Sequence, residues 1–251
     1  HMGLASNLPT PVRRTVMRAS RGVVRLTKYK DRSELSFWTD HWDKQIRDGQ
    51  LWGENSLELS GDSELAADYV DRRWQQARAE VNRVLQEAKI EDKDFFEDKV
   101  VLDIGPGCVG FPDAVSVPAK LSFGVDPIAE AYRDAELLLE SDAIYLNTPA
   151  ERIPLLSGSV DVIVCRNSLD HVDKPTTVVS EIHRLLRPGG TLILNVDIDH
   201  PASPTEPHEI SIETLRSWLA SFDVQLEDEW GHGHAGEDVP GHAVVVVATR
   251  P

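Results

Sequence analysis

The residues best suited to chemistry lie in the segment VLDIGPGCVG, Val101 to Gly110. A short apolar run is followed by three glycines with the spacing G-x-G-x-x-G, and glycine lets the backbone of a turn approach a ligand closely because it has no Cβ. The same spacing receives the pyrophosphate of a dinucleotide at a helix N-terminus. Here the apolar run contains Asp103, two residues before the first glycine, and its carboxylate would repel a pyrophosphate. The segment therefore favours a ligand with positive charge, such as an ammonium or sulfonium group.

A second carboxylate, Asp126, ends the next apolar run in the sequence GVDP. A carboxylate at this place can accept hydrogen bonds from both hydroxyls of a ribose, and it can also cap the helix that begins near Pro127. Sites for nicotinamide and for S-adenosylmethionine share this feature. Asp126 therefore does not separate the two ligands, whereas Asp103 does.

The elements that must position these residues begin at Lys99, where short apolar runs alternate with helical segments. This alternation predicts an α/β fold with a Rossmann-like, seven-stranded, mostly parallel sheet covered on both faces. The last two runs have no helix between them and predict a hairpin with one antiparallel C-terminal strand. The predicted strands are VVLDI, LSFGVD, AIYL, VDVIVC, TLILNVDI, VQLEDEW and AVVVVAT, and the predicted helices include Ile128–Glu140, Pro175–Leu186 and Ile212–Phe222.

The first 96 residues lack this alternation. A helix is predicted from an N-cap at Asp62 or Ser63 to Ala88, because apolar residues recur there with a helical period. Residues 31–61, which include Trp38, Trp42 and Trp52, are predicted to be irregular. We therefore divide the chain into a helical N-terminal arm and cap, residues 1–96, and a ligand-binding domain, residues 97–251.

Charge and composition limit the partners. The formal net charge of −16 disfavours nucleic acid, because phosphate backbones are repelled. From Pro9 to Lys30 seven basic residues occur without an acidic one, which predicts an arm docked on the acidic body or on a partner subunit. Contact of this arm with an anionic membrane and a homodimer are open alternatives. Two cysteines, Cys108 and Cys165, and the absence of a signal-peptide pattern in the given residues favour the cytoplasm.

Four segments in order carry a family resemblance: VLDIGPG, GVDP, PAERIPLLSGSVDVIVCRNSLDHV and EIHRLLRPGGTLIL. Over about 150 residues, from about Val100 to the end, the chain resembles the class I S-adenosylmethionine-dependent methyltransferases. Within this family we expect the small-molecule O-methyltransferase type. The resemblance implies a methyltransferase fold with S-adenosyl-L-methionine as cofactor.

The resemblance also implies a cofactor site, residue by residue. The methionine part would lie at the first motif and near Asn167, the ribose at Asp126, and the adenine between two short segments. This chain departs from the family at Pro149, which takes the place of a frequent aspartate, so the contact to the adenine amino group is left open. The implied cofactor residues are Asp103, Gly105, Pro106, Gly107, Asp126, Pro127, Ile128, Ala150, Glu151 and Asn167.

On the acceptor side, His171 stands where many family members place a residue that faces the donor methyl group. Histidine titrates near neutral pH, so His171 is a candidate catalytic base, with a structural histidine as the alternative. Some oxygen-directed relatives bind Mg²⁺ at acidic residues after the fourth and fifth strands, which here are Asp170, Asp197 and Asp199. The alternative is that these are solvated loop carboxylates. His200 and His208 are weak candidates for acceptor contacts.

These observations favour methyl transfer to a hydroxyl of a small molecule, with a sugar or polysaccharide as the preferred acceptor. The same domain also methylates carbon or nitrogen in quinones and amines, and in such relatives no metal is expected. Two other classes stay open: an NAD(P)-dependent oxidoreductase, which the glycines suggest, and a silent ligand-binding protein. The histidine-rich segment His232–His242 matches no compact zinc pattern and is predicted to be a loop near the acceptor pocket.

Overall fold

This computed structural model describes residues 29–48, 65–230 and 241–251. Within these ranges the chain forms six helices and seven strands. The helices are α1 (Tyr29–Asp48), α2 (Leu65–Glu87), α3 (Phe111–Val115), α4 (Ala129–Asp134), α5 (Pro175–Leu185) and α6 (Ile212–Trp218). The strands are β1 (Val100–Ile104), β2 (Leu121–Asp126), β3 (Ile144–Asn147), β4 (Val160–Arg166), β5 (Leu186–Ile198), β6 (Asp223–Trp230) and β7 (His242–Thr249).

The seven strands form one sheet in the order β3-β2-β1-β4-β5-β7-β6. Strands β1 to β5 run parallel, and β7 pairs antiparallel with both β5 and β6. The predicted mostly parallel sheet with an antiparallel C-terminal strand is therefore confirmed. The sheet edge that holds the carboxyl ends of β1, β2, β4 and β5 is the place where ligands bind in open α/β sheets.

Both faces of the sheet are covered, so its central strands are apolar at nearly every position. On one face Leu102 and Cys165 pack with α5 and α6. On the other face Val101 and Val164 pack with α2 and α3. A third cluster joins α1 to α4 through residues such as Trp42. The helices of the N-terminal region thus share apolar clusters with the sheet domain.

Three local predictions differ from the structure. The prediction that residues 31–61 are irregular is wrong over their first part, because α1 is a 20-residue helix. Leu35, Trp38 and Trp42 lie on one face of it and pack against α4 and the first loop of the sheet domain. Helix α4 ends at Asp134 rather than residue 140, with Glu136 in the left-handed region, and α6 ends at Trp218 rather than residue 222.

The segment RPGG, residues 187–190, is predicted as a turn before the fifth strand. In the structure it is an irregularity inside β5, since Leu186 pairs with Val160 while Thr191 pairs with Val162. Gly189 has a φ of 72°, and its N–H donates to the carbonyl of Arg250 over 2.7 Å. The glycines therefore serve strand geometry at the edge opposite to the candidate site.

Some predictions fall outside the described residues and stay predictions. They concern nearly all of the basic segment Pro9–Lys30, Trp52, the N-cap at Asp62 or Ser63, and most of the loop His232–His242. In the described part of the chain, no helix has the length and apolar character needed to cross a bilayer.

Candidate functional site

The first glycine of the loop after β1 cannot be replaced without displacing a neighbour. Gly105 has a φ of +69°, and a Cβ built on it would lie 2.5 Å from Cβ of Ser168. Its N–H donates to the carbonyl of Val125 over 2.8 Å, which joins the loop to β2. Ser168 in turn donates to the carbonyl of Ile104 over 2.8 Å. The loops after β1 and β4 are thereby held in direct contact.

The second glycine lies beneath α1. Gly107 has a φ of +54°, and a Cβ there would lie 2.8 Å from the Trp38 indole. Beside it the Trp42 indole N–H donates to Sγ of Cys108 over 3.4 Å. Helix α1 therefore covers the glycine loop with aromatic side chains. The tryptophan pair was noted in the sequence, but its contact with the loop was not predicted.

Asp103 lies at the end of β1 with a relative exposure of only 5%. Burial raises the pKa of Asp103 well above its usual value, and the nearby negative charge of Asp126 raises it further. Taking a carboxylate out of water is costly unless a cation or hydrogen bonds compensate. A cation beside Asp103 would offset the cost of burying its charge, whereas a diphosphate would add to it, and the role of Asp103 at the cofactor stays a prediction.

Asp126, at the end of β2, is the second buried carboxylate of the site. Burial, and then the negative charge of Glu34 on α1, raise the pKa of Asp126 to about 8, while hydrogen bonds from the backbone N–H groups of Ile128 and Gly107 oppose the shift. The Ile128 N–H lies 2.9 Å from Oδ1. Glu34 itself accepts a hydrogen bond from the Tyr132 hydroxyl over 3.0 Å. Glu34 and Tyr132 thus lie near the carboxyl group that is expected to bind the ribose, and no sequence pattern predicts either of them.

The residues implied for the adenine edge have mixed surroundings. Ile128 and Ala150 are buried, whereas Pro127 is exposed. A carboxylate oxygen of Glu151 accepts the backbone N–H of Lys174, the N-cap residue of α5, over 2.9 Å. Glu151 therefore has a structural bond, and its role at the adenine stays a prediction.

Asn167, the first residue after β4, has a φ of 45°, which is uncommon for a residue other than glycine. Its N–H donates to the carbonyl of Asn195 in β5 over 2.8 Å. Uncommon backbone geometry of this kind clusters at binding and active sites. Asn167 lies next to Ser168, which contacts Gly105, so the structure brings this predicted cofactor residue beside the glycine loop.

His171 lies in a cluster that joins the loops after β4 and β5. Its Nε2 is 3.6 Å from Oε1 of Glu206 and 4.0 Å from Oδ2 of Asp170. Nδ1 of His200 lies 3.6 Å from the other oxygen of Glu206. His208, expected as a possible acceptor contact, lies with Nε2 2.8 Å from the carbonyl of Val172, and this contact ties the two loops together.

Asp170 is the most buried member of this cluster, with a relative exposure of 3%. The pKa of Asp170 is raised, chiefly by burial and further by the negative charges of Glu206 and Asp197. The charge of His171 opposes this shift. Within the described residues, Oδ1 of Asp170 and Nε2 of His171 are buried without a hydrogen-bond partner.

The predicted magnesium ligands are only partly brought together. Ligand atoms of Asp170, His171 and Glu206 all lie within 4.8 Å of one another. Asp197 is near enough to affect the pKa of Asp170, and Asp199 is exposed at the end of β5, but neither belongs to this group. Glu206 was missed in the sequence because 35 residues separate it from His171.

Comparisons with known proteins agree with this geometry. Residues 102–194 match the family model described as "Methyltransferase domain". A protein of Pseudomonas paraeruginosa named "Ubiquinone biosynthesis O-methyltransferase" is 29% identical over 113 residues, which are 42% of this chain and 47% of that protein. The chain thus spans about half the length of the curated relatives that it matches.

Two solved structures share the fold. An S-adenosylmethionine-dependent methyltransferase from Mesorhizobium loti has a TM-score of 0.53 and 15% identity, and the match covers 68% of this chain and 96% of that one. The [4+2]-cyclase SpnF has a TM-score of 0.57 and 15% identity, and covers 92% of this chain and 99% of that one. The matched family model, the strand order and the glycine loop between two buried carboxylates agree, and they confirm the resemblance of residues 102–194 to the class I S-adenosylmethionine-dependent methyltransferases.

Proposed function

We propose that the protein transfers the methyl group of S-adenosylmethionine to a hydroxyl of a small-molecule acceptor, with His171 as the base. The observation that carries this proposal is the buried Nε2 of His171, which lacks a hydrogen-bond partner among the described residues and faces two carboxylates. A neutral imidazole beside carboxylates can accept a proton, and the carboxylates stabilise the resulting imidazolium.

The reaction requires alignment and removal of one proton. The acceptor oxygen attacks the methyl carbon, the carbon–sulfur bond breaks with its electrons going to sulfur, and S-adenosylhomocysteine leaves. The hydroxyl proton passes to Nε2 of His171. Asp103 and Asp126 would hold the cationic methionine end and the ribose, so that the methyl group is aligned with the oxygen.

Oxygen as the target is supported by the name of the Pseudomonas relative. A saccharide acceptor is supported by the aromatic side chains of α1, because sugar rings stack on aromatic faces. Phe37 is 51% exposed and stacks on His41 with ring centroids 5.7 Å apart. Phenols, and quinones or amines as carbon or nitrogen targets, are the alternative acceptors. We also propose a cytoplasmic location, favoured by the free cysteines Cys108 and Cys165 and testable by cell fractionation.

A second candidate is metal-dependent transfer, favoured by the buried Asp170 oxygen that has no hydrogen-bond partner in the described part of the chain. Two carboxylates and one imidazole fit a divalent cation, but the imidazole suits Mn²⁺, Fe²⁺ or Zn²⁺ better than the expected Mg²⁺, which prefers oxygen ligands. Asp170, His171 and Glu206 would hold the ion, which when bound would lower the pKa of the acceptor hydroxyl. Because the lone pair of Nε2 binds either a proton or a metal, the base and metal roles of His171 exclude each other at one time.

The test is radiolabelled methyl transfer into a panel of saccharides, phenols, quinones and amines. It is run with Mg²⁺, with Mn²⁺ and with a chelator. We expect label in a hydroxyl acceptor, no loss with chelator, and about a hundredfold lower rate for His171→Ala. The matched control is His183→Ala on α5, which should keep the wild-type rate.

Each other outcome removes part of the proposal. Loss of activity with chelator and its recovery with Mn²⁺ would support the metal-dependent reaction and contradict the role of His171 as the base. Full activity of His171→Ala would remove both roles of His171. Binding of NAD(P) without binding of S-adenosylhomocysteine would support an oxidoreductase, and donor binding without label in any acceptor would support a silent or non-methylating protein.

A further inference from the structure

Helix α2 contacts the structure around both loops of the proposed donor site. Near the start of α2, Arg73 is buried, and its Nη2 donates to the carbonyl of Cys108 over 2.9 Å and to that of Leu137 over 2.7 Å. Its guanidinium lies 4.0 Å from the centre of the Trp42 ring. This part of α2 therefore fixes the glycine loop and the aromatic side chains of α1.

Further along α2, two glutamates hold Arg166, the last residue of β4. Nη1 of Arg166 contacts Glu80, and Nη2 lies 3.0 Å from Oε2 of Glu87. The side chains of Arg166, Glu80 and Glu87 are only 15%, 9% and 12% exposed. Nδ2 of Asn195 on β5 also donates to Glu87 over 3.3 Å. The helix is thus tied to the carboxyl ends of β4 and β5.

Stability alone does not account for this ionic group. Burial of three charged side chains carries a desolvation penalty. Apolar side chains of similar size at such positions often make a protein equally stable or more stable. The same helix already packs on the sheet through the apolar residues Val84, Leu85 and Ala88. The planar fork of arginine adds a fixed direction to the contact, which apolar packing lacks.

The orientation of the Arg166 side chain matters because Asn167, a predicted cofactor residue, follows it directly in the chain. Asn167 follows Arg166 in the left-handed region and pairs with Asn195, and Asn195 and Arg166 both contact Glu87. The ionic group therefore holds the residues before and opposite Asn167. A shift of α2 would break the contacts that hold the residues around Asn167. Through Arg73 it would also break the hydrogen bond to the glycine loop.

We infer that Arg166 is a positioning residue of the donor site. Its ion pairs with Glu80 and Glu87 hold α2 in place at the carboxyl edge of the sheet. The loop at Asn167 and the glycine loop therefore keep the spacing that the donor's methionine end requires. The inference rests on the proposed function, since it assumes that these two loops bind the donor.

The test compares binding of S-adenosylhomocysteine by calorimetry in four variants, each measured well below its unfolding temperature. Arg166→Met should weaken binding about tenfold, and Arg166→Lys, which keeps the charge but not the fork, should recover about half of that loss on a logarithmic scale. Glu87→Gln should weaken binding about threefold. The matched control is Arg187→Met, which removes the ion pair with Asp161 at the other end of β4 and should leave binding unchanged.

A second readout separates positioning from stability. Hydrogen exchange of backbone amides 105–110 and 167–171 should rise in Arg166→Met and stay at the wild-type rate in Arg187→Met. If Arg166→Met unfolds, Arg166→Lys and Glu87→Gln still decide the question.

Wild-type-like binding in the folded Arg166 and Glu87 variants, with only a lower unfolding temperature, would overturn the inference. Equal losses in Arg187→Met would do the same. If the wild-type protein itself fails to bind S-adenosylhomocysteine, the proposed function fails instead.

Discussion

The two halves of the candidate site are built in different ways. The proposed donor half consists of two short segments, one at the end of β1 around Asp103 and Gly105 and one at the end of β2 around Asp126. The acceptor half consists of Asp170 and His171 after β4 and Glu206 from a long loop after β5. The donor half contains two buried carboxyl groups, whereas the acceptor half places an imidazole near the buried Asp170 and the half-buried Glu206.

This difference indicates separate tasks. The donor half has two buried carboxyl groups whose pKa values are raised by burial, and a cationic ligand would favour their charged forms. The acceptor half contains the imidazole of His171, which is the candidate base. Changes in the donor half should therefore alter ligand binding, whereas changes in the acceptor half should alter transfer and leave donor binding intact.

Among substitutions in the two halves, Gly105→Ala is expected to have the largest effect, on both stability and donor binding. The new Cβ would combine left-handed strain with a clash against Ser168, at a cost of about 2 to 4 kcal/mol. Gly158→Ala is the matched control, because Gly158 has a similar φ of +68° but its nearest heavy atom lies 4.0 Å from a built Cβ. We expect a cost of about 1 kcal/mol there, from strain alone.

Urea unfolding and calorimetric binding of S-adenosylhomocysteine measure both variants. Gly105→Ala should lose both stability and binding, and Gly158→Ala should lose only a little stability. Similar values for the two variants would show that the contact with Ser168 does not constrain the loop.

Asp103→Asn should have opposite effects on stability and binding. Relative to the ligand-free wild type, the variant should gain stability as the pH rises, because burial and Asp126 both raise the pKa of Asp103 and so disfavour its charged form. Loss of a charged partner should weaken donor binding about 10- to 100-fold. Thermal unfolding and calorimetry test the pair of results, and a variant that loses stability while keeping affinity would contradict the cation-binding role.

Glu206→Gln sharpens the comparison from the other half. The neutral amide no longer stabilises an imidazolium at His171, so the methyl transfer rate should fall about tenfold. Binding of S-adenosylhomocysteine should stay within twofold of the wild type. Glu209→Gln, an exposed carboxylate in the same loop, serves as control. Weaker donor binding in Glu206→Gln would mean that the two halves are not separate.

The last prediction is a pH dependence of stability that arises from Asp126. The pKa of Asp126 is about 8 when folded and about 4 when unfolded, so the folded state alone carries the proton between these values. Its contribution to stability is complete below pH 4 and is lost as the pH rises to 8. Asp126→Asn should therefore show a smaller fall in unfolding temperature from pH 5 to pH 8 than the ligand-free wild type. Parallel curves would contradict the shifted pKa.

Much of the fold could be predicted because its signals are local. The apolar runs that alternate with helical segments gave the parallel sheet, and the missing helix before β7 gave the antiparallel strand. Helix α1 could not be predicted, because its polar sequence carries only a narrow apolar face, and the surface that receives Leu35 and Trp42 comes from the glycine loop and α4.

The sequence by itself determined the donor half, since a strand, its terminal carboxylate and the glycines that follow are consecutive and their spacing dictates their chemistry. Tertiary structure decided which groups surround them. It placed Trp38 on Gly107, Ser168 against Gly105, Glu34 near Asp126 and Glu206 beside His171. These pairs are 35 to 92 residues apart, and no local pattern encodes such contacts, because they depend on how helices and loops pack at one edge of the sheet.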